Sequence, residues 1–312
     1  MVKIDLITGF LGSGKTTFIK KYAKYLIDQG ENIGILENDY GAVNVDMMLL
    51  KDLEGENCEL EMIAGGCDAD CHRRRFRTKL IAMGMCGYDR VIVEPSGIYD
   101  VDEFFDVLRD DPIDRWYEIG NVITVVDAKL EEKLSDEADY LLASEAANAG
   151  CIVLSRSQEA SEKEIENTVS HLNAAMEKVQ CKRRFKDEIV VKDWTAFDEA
   201  DYETFLSCGY VPENYRKMHI EEGETFKSLY FMNLVMTSDE IVEVAKTILE
   251  DKECGRVFRV KGFLKDEAGE WLELNATHQE MRICPIPEGQ EVVIVIGEEL
   301  NEERIQQYFS MQ

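Results

Sequence analysis

Residues 9–18 read GFLGSGKTTF and follow the apolar run VKIDLI at residues 2–7. Gly9, Gly14, Lys15 and Thr16 fit the spacing G-x-x-x-x-G-K-[ST], in which glycines let main-chain N–H groups close around phosphates. A helix opening at Lys15 presents its positive end to the same phosphates. In this reading Gly9, Gly12, Ser13 and Gly14 form the cradle and Lys15 reaches the β and γ phosphates. Thr16 ligates Mg²⁺ through its hydroxyl, and Thr17 lies near the α phosphate. The strand pattern before the loop and the segment KTTFIKKYAKYLIDQG after it, stopped at Gly30, supply the context that the motif requires. A nucleoside triphosphate is the expected ligand.

Outward from this loop, the first two hundred residues alternate β-rich runs (IDLITGF, NIGILEND, ELEMIA, RVIVEPS, NVITVVDA, CIVLSR, EIVVKD) with helix-length segments. Near-continuous apolar strands of this kind belong to a mostly parallel sheet covered on both faces, so a doubly wound α/β domain of the P-loop NTPase type is expected over residues 1–205. The rhythm is lost over residues 206–226, read as a linker. Residues 227–312 then carry strands SLYFMNLVM, RVFRVKGFL, EWLELNA and EVVIVIG with two helices, the first capped by Ser238 and the last by Asn301. A smaller α+β domain is the expectation there.

Composition narrows the partners. With 63 acidic against 35 basic side chains the formal charge is −28, a field that repels nucleic acid. No apolar run approaches the roughly 20 residues needed to cross a bilayer, and the first residues form a strand pattern, so a cytoplasmic protein without membrane contact is expected. The nine scattered cysteines argue for free thiols or metal ligands and against a disulfide framework. The basic run HRRRFRTK at residues 72–79, with Arg73, Arg74, Arg75, Arg77 and Lys79, reads as a solvated helix face or as a docking surface for an acidic partner.

Ligands of such sheets lie at the carboxyl ends of strands, which directs attention to ENDYG, AGGCDADC, EPSG, VDA and SRSQ. Glu94 ends one apolar strand, where its carboxylate can hold Mg²⁺, and Gly97 lets a backbone N–H approach the γ phosphate.

GFLGSGKTT followed in order by ENDYGAVNVD, GGC, EPSG and VVDA resembles the CobW-like GTPases, a class of metal-associated P-loop proteins that includes UreG and HypB. Asn38, Asp39, Tyr40, Gly41 and Asp46 match one family run, and Glu94, Pro95, Ser96 and Gly97 match another. RVKGFL and VVIVIGEELNEERI resemble the family's carboxy-terminal domain. The resemblance implies GTP, with ATP as the second candidate, bound with Mg²⁺ and slowly hydrolysed. The cycle would deliver a metal or activate a metal- or cobalamin-dependent client protein. Lys15, Glu94 and Asp39 are the implied catalytic set, with Thr16 and Glu94 on Mg²⁺.

Two departures qualify this. Where the family has C-x-C-C, this chain has Cys67, Asp68, Ala69, Asp70, Cys71 and His72. Cys67 and Cys71, four apart on one helical face, could share Zn²⁺ or another transition metal with Asp68, Asp70 or His72; the alternative reading is that metal binding has been lost and the segment is a plain switch loop. Where the family has N-K-x-D, this chain has Ser155, Arg156, Ser157 and Gln158. Arg156 can lie along the base as lysine does, but Gln158 is no charged double acceptor for guanine. A nucleotide-holding scaffold without useful hydrolysis is the rival reading, and a small-molecule kinase ranks last.

Overall fold

The computed structural model describes residues 1–39, 46–64, 69–97, 101–186, 188–218, 226–232, 234, 236–266, 268–287 and 289–310, with residues 39, 46, 64, 69 and 70 described by backbone alone. The chain divides into two compact units, Met1–His219 and Ile220–Gln312. The first unit runs beyond residue 205 because the segment after its last helix stays on its sheet: Val122 N–H donates to Gly209 O at 2.9 Å, and Ala149 bridges Tyr210.

In the first unit the elements follow as β1 (Val2–Thr8), α1 (Lys15–Asp28), β2 (Ile33–Asp39), α2 (Asp46–Leu50), β3 (Cys58–Ala64), α3 (Ala69–Met83) and β4 (Arg90–Pro95). Then come α4 (Val101–Leu108), α5 (Ile113–Trp116), β5 (Tyr117–Asp127), α6 (Asp136–Ala147), β6 (Cys151–Ser155), α7 (Glu162–Lys178), β7 (Ile189–Val190) and α8 (Glu199–Ser207). The seven strands form one parallel sheet in the order β3-β2-β4-β1-β5-β6-β7. The doubly wound expectation is met. EIVVKD contributes only the two residues of β7, because the chain then turns at Trp194–Ala196 into a single 3₁₀ turn.

Alternation along β1 shows how the two faces are filled. Ile4 and Leu6 pack with Phe76 and Leu80 of α3 and Phe104 of α4, whereas Ile7 packs with Phe18, Tyr22 and Leu26 of α1. Asp5 shares the α1 face and is fully buried. Its Oδ2 accepts from Tyr22 Oη at 2.8 Å and Arg90 NH1 at 2.6 Å, and its Oδ1 from Asn121 N at 2.7 Å. Every lone pair of this buried carboxylate is answered, which is the condition for tolerating such a charge in a core.

The second unit contains β8 (Phe226–Met232), α9 (Ser238–Glu250), β9 (Arg256–Lys265), β10 (Trp271–Thr277), β11 (Met281–Pro285), β12 (Val292–Glu298) and α10 (Glu302–Ser310). Its antiparallel sheet runs β11-β10-β9-β12-β8, with α9 and α10 in one core with Phe231, Val260, Leu274 and Val295. Edge strand β11 escapes the sequence reading because it is short and ends in proline. Asn301 caps α10 as expected, accepting Arg304 N–H at 3.1 Å. Ser238 does not cap α9. Thr237 does, since Glu240 lies three residues beyond it and returns the hydrogen bond of a capping box.

Helices α9 and α10 are joined through Asp251, which accepts from Arg304 Nε at 2.8 Å and Tyr308 Oη at 2.7 Å. The Tyr308 hydroxyl, the Glu253 N–H and the Arg304 guanidinium hold this carboxyl down at about 2, against 3.8 for an ordinary aspartate. The unfolded chain therefore takes up the proton first, so the stabilisation is complete above the ordinary value and is lost as pH falls toward about 2. Protection of α10 amides against hydrogen exchange, relative to the intrinsic rate at each pH, should fall between about pH 4 and pH 2 in the wild type. Asp251→Asn should show lower protection already at neutral pH and no further fall across that window, and an unchanged slope in the variant would refute this role.

Candidate nucleotide site

At the end of β1 the chain turns so tightly that Gly9 takes φ 146°, and a Cβ there would lie 2.2 Å from Val125 O, so no side chain fits. Ser13 N–H closes the loop on Phe10 O at 3.1 Å, and Gly14 leads directly into α1. The first turn of α1 carries no acidic side chain to compete with an incoming anion. Lys15 is largely buried, and its Nζ folds back over the loop to donate to Gly9 O at 2.8 Å. Thr17, in contrast, is exposed.

Thr16 Oγ1 donates to Glu94 Oε1 at 2.9 Å, so the two expected magnesium ligands meet although 78 residues separate them. Glu37 pairs in register with Glu94 on the neighbouring parallel strand, which places the two side chains on one face of the sheet. Both are buried. A hydroxyl beside two carboxylates is the hard-oxygen donor set that Mg²⁺ takes. Glu37 was overlooked in the sequence because ENDYG was read from its second residue onward. Gly97 is pressed on the phosphate loop, since a Cβ there would stand 2.8 Å from Leu11 N. Ser96 N–H donates to Asn38 O at 2.8 Å, while the buried Asn38 amide has no hydrogen-bond partner among the described residues. Asp39 belongs to β2, and its side chain lies outside the described residues, as do Tyr40 and Gly41.

On the other side of the loop, β5 and β6 end in register at Asp127 and Ser155. Arg156 takes a left-handed backbone, φ 53°, and its guanidinium is received by both carboxylate oxygens of Asp127 and, at 3.1 Å, by Gly12 O. One side chain thus ties the base loop to the phosphate loop. Ser155 is buried and Gln158 exposed. Beneath them Trp194 donates its indole N–H to Leu154 O at 2.9 Å and stacks its edge on Phe18 of α1. Asp127 lies in the strand end VDA to which the sequence points, but its pairing with Arg156 and the place of Trp194 were not foreseen, because the contacts that bring them here are long-range. Glu145 of α6 is a further addition: it is fully buried, with neither carboxylate oxygen hydrogen-bonded among the described residues. Burial pushes its carboxyl well above the usual range against the opposing pull of the Lys15 charge.

The transition-metal residues are placed in part. Cys67 and Asp68 lie outside the described residues, and of Asp70 only the backbone is described. Cys71 is half-buried in the first turn of α3. His72 is fully buried on the helix row that continues through Phe76 and Leu80. Burial and then the neighbouring Arg75 charge bring its imidazole down to about 4, so it is neutral near pH 7. Among the described residues no three His, Cys, Asp or Glu side chains gather as a metal centre. In the basic run, Arg77 is engaged by Asp110 and Lys79 by Glu61.

Comparison with known proteins agrees with this geometry. The family model described as CobW/HypB/UreG, nucleotide-binding domain, matches residues 3–186. Zinc chaperone YeiR of Escherichia coli (strain K12) is 30% identical over 143 residues, 45% of this chain and 42% of that protein. Zinc chaperone YjiA of the same organism is 25% identical over 184 residues, 55% of each. The chain thus spans about half the length of the curated relatives it matches. The crystal structure of Zn(II)-bound YjiA GTPase from E. coli aligns over 99% of this chain and 98% of that one, at 18% identity and a TM-score of 0.40, a likeness too slight to bear on function. Because the family match extends from the first strand past the base loop, the chain belongs to the CobW/HypB/UreG family of nucleotide-binding-domain proteins.

Proposed function

We propose that this protein is a GTPase of low turnover whose nucleotide cycle governs delivery of a metal to a client protein, or activation of a metal- or cobalamin-dependent client. The observation that carries the reading is the meeting of Thr16 with Glu94 beside a lysine folded over a glycine cradle. When bound, Mg²⁺ supplies positive charge shared between the β and γ phosphates. Thr16 and Glu94 would hold it, with Glu37 on the same face.

Lys15 leaves Gly9 O for a phosphate oxygen, exchanging a neutral acceptor for a charged one and gaining in the exchange. Gly97, against Leu11, keeps the Glu94 turn at the loop so that its N–H is available to the terminal phosphate. Asp39, at the end of β2, is assigned to the same group of acids. Slow turnover accords with the lack, among the described residues, of a side chain committed as a base toward an attacking water. Zinc is the metal that the names of YeiR and YjiA suggest. Cys67, Cys71, Asp70 and His72 are its candidate ligands, and a neutral His72 is in the state that a metal requires. No helix among the described residues is long and apolar enough to cross a membrane, and the charge of −28 disfavours nucleic acid.

The test is thermodynamic linkage. If metal and nucleotide share one switch, Zn²⁺ must change GTP affinity and GTP must change Zn²⁺ affinity by the same factor, typically about 5- to 150-fold. Cys71→Ala should remove that factor while GTP still binds. Independent binding of the two would contradict the chaperone reading. Tight nucleotide binding without phosphate release under any metal condition would favour the scaffold.

A further inference from the structure

We propose that the base pocket reads its purine through the neutral amide of Gln158, and so admits adenine nucleotides on terms close to those for guanine nucleotides. The inference rests on the nucleotide-site reading above and concerns only which base that site selects.

Among the described residues of this loop and its adjoining turn, the following polar groups already have partners. Ser155 is buried and turns its hydroxyl toward Val126 O at 3.5 Å. The Arg156 guanidinium is spread over Asp127 and Gly12 O. Ser157 Oγ donates to Lys192 O at 2.9 Å. In the adjoining turn the Lys192 ammonium is held by Asp198 and Asp201, and the Trp194 indole N–H by Leu154 O. The main-chain N–H groups of Thr195 and Ala196 are taken by Asp193, through its side chain at 2.8 Å and its carbonyl at 2.9 Å. Gln158 alone among residues 155–158 is exposed. It stands at the fourth position of the loop, where a guanine-reading loop carries its carboxylate.

Chemistry then decides the outcome. Guanine presents two donors, N1–H and the 2-amino group, and only a carboxylate accepts both with charge. An amide has one acceptor and one donor group. Toward adenine it accepts from the 6-amino group and donates to a ring nitrogen, the same complementarity by which glutamine reads adenine in nucleic acids. Toward guanine it accepts from N1–H and donates to O6. Each purine obtains two neutral hydrogen bonds, and the guanine 2-amino group earns nothing extra. The plane of Arg156, fixed by Asp127, offers stacking that is blind to the base.

The experiment is a competition assay against a fluorescent GTP analogue with Mg²⁺, using GTP, ITP, ATP and CTP on the full chain and on Gln158→Asp. For the wild type, GTP and ATP should differ by less than about tenfold, and ITP, which lacks the 2-amino group, should match GTP. Gln158→Asp should move the GTP-to-ATP ratio toward GTP by about 10- to 100-fold, the worth of a charged hydrogen bond. Gln158→Glu serves as the second variant should the first fail to fold. A wild-type preference for GTP over ATP of about a hundredfold or more, or a GTP-to-ATP ratio unmoved by either acid, overturns the inference while leaving the nucleotide site intact. Failure of every triphosphate to bind would instead overturn the nucleotide-site reading, and this inference with it.

Discussion

Lys15→Ala should lower GTP affinity by about 30- to 1000-fold while changing the stability of the free protein by less than about 1 kcal/mol. In the free protein the Lys15 ammonium makes one bond to a neutral acceptor, Nζ to Gly9 O at 2.8 Å, so its removal costs the fold little. With a triphosphate the same ammonium faces anionic acceptors inside a largely buried cradle, where Coulombic attraction adds to the hydrogen bond. Lys15→Arg should not rescue binding. The Lys15 side chain is largely buried and folded onto Gly9 O, and a planar guanidinium fork differs from a compact ammonium in both size and donor geometry. Calorimetry for affinity and urea unfolding for stability separate the two effects. Equal loss of both would mean that Lys15 is a structural residue.

Asp5→Ala should destabilise the first unit by about 3–5 kcal/mol, a large part of what a domain possesses. The variant strands Arg90, whose side chain is 4% exposed and whose remaining partner, Glu31, lies at the half-exposed rim. It also leaves Tyr22 Oη and Asn121 N–H without their acceptor. In the wild type burial pushes the Arg90 guanidinium down and the charge of Asp5, with Tyr22 and Glu31 behind it, outweighs that; without Asp5 the burial cost stands largely uncompensated, and a guanidinium is too strong a base to escape it by losing its proton near pH 7. A double change to apolar residues, Asp5→Leu with Arg90→Met, should recover much of the loss, since replacing both members of a buried pair is far cheaper than orphaning one. Hydrogen exchange of β1 and β4 peptides in urea reports on this unit alone. A cost under about 1 kcal/mol for Asp5→Ala would show that water reaches the site and solvates Arg90.

The features legible in the sequence are those whose partners are near in the chain or fixed by a general rule. The phosphate loop is local: glycines, lysine and threonine fall within eight residues, and the helix they open follows at once. Thr16 and Glu94, far apart in the chain, could be read toward one place because ligands of parallel sheets gather at strand ends, and the two side chains do meet. The double winding followed from apolar strands that leave no face for water. What stayed hidden depends on register. Asp5 looks like an interruption of an apolar strand until Arg90 and Tyr22 are placed around it. Arg156 was expected along the base, and its bond to Asp127 exists because β5 and β6 end level with each other. Trp194 follows a run that looks like a strand but holds only two strand residues. The cap of α9 was legible and was misread, since Thr-x-x-Glu at 237–240 distinguishes Thr237 from its neighbour Ser238.

The central claim is tested most directly by titrating GTP into the wild-type chain with Mg²⁺ and again with the Mg²⁺ chelated. The account predicts saturable binding at one site per chain, weakened when Mg²⁺ is withdrawn because the positive charge that Thr16 and Glu94 would hold near the phosphates goes with it. Absence of saturable binding, or binding that Lys15→Ala leaves untouched, would contradict it.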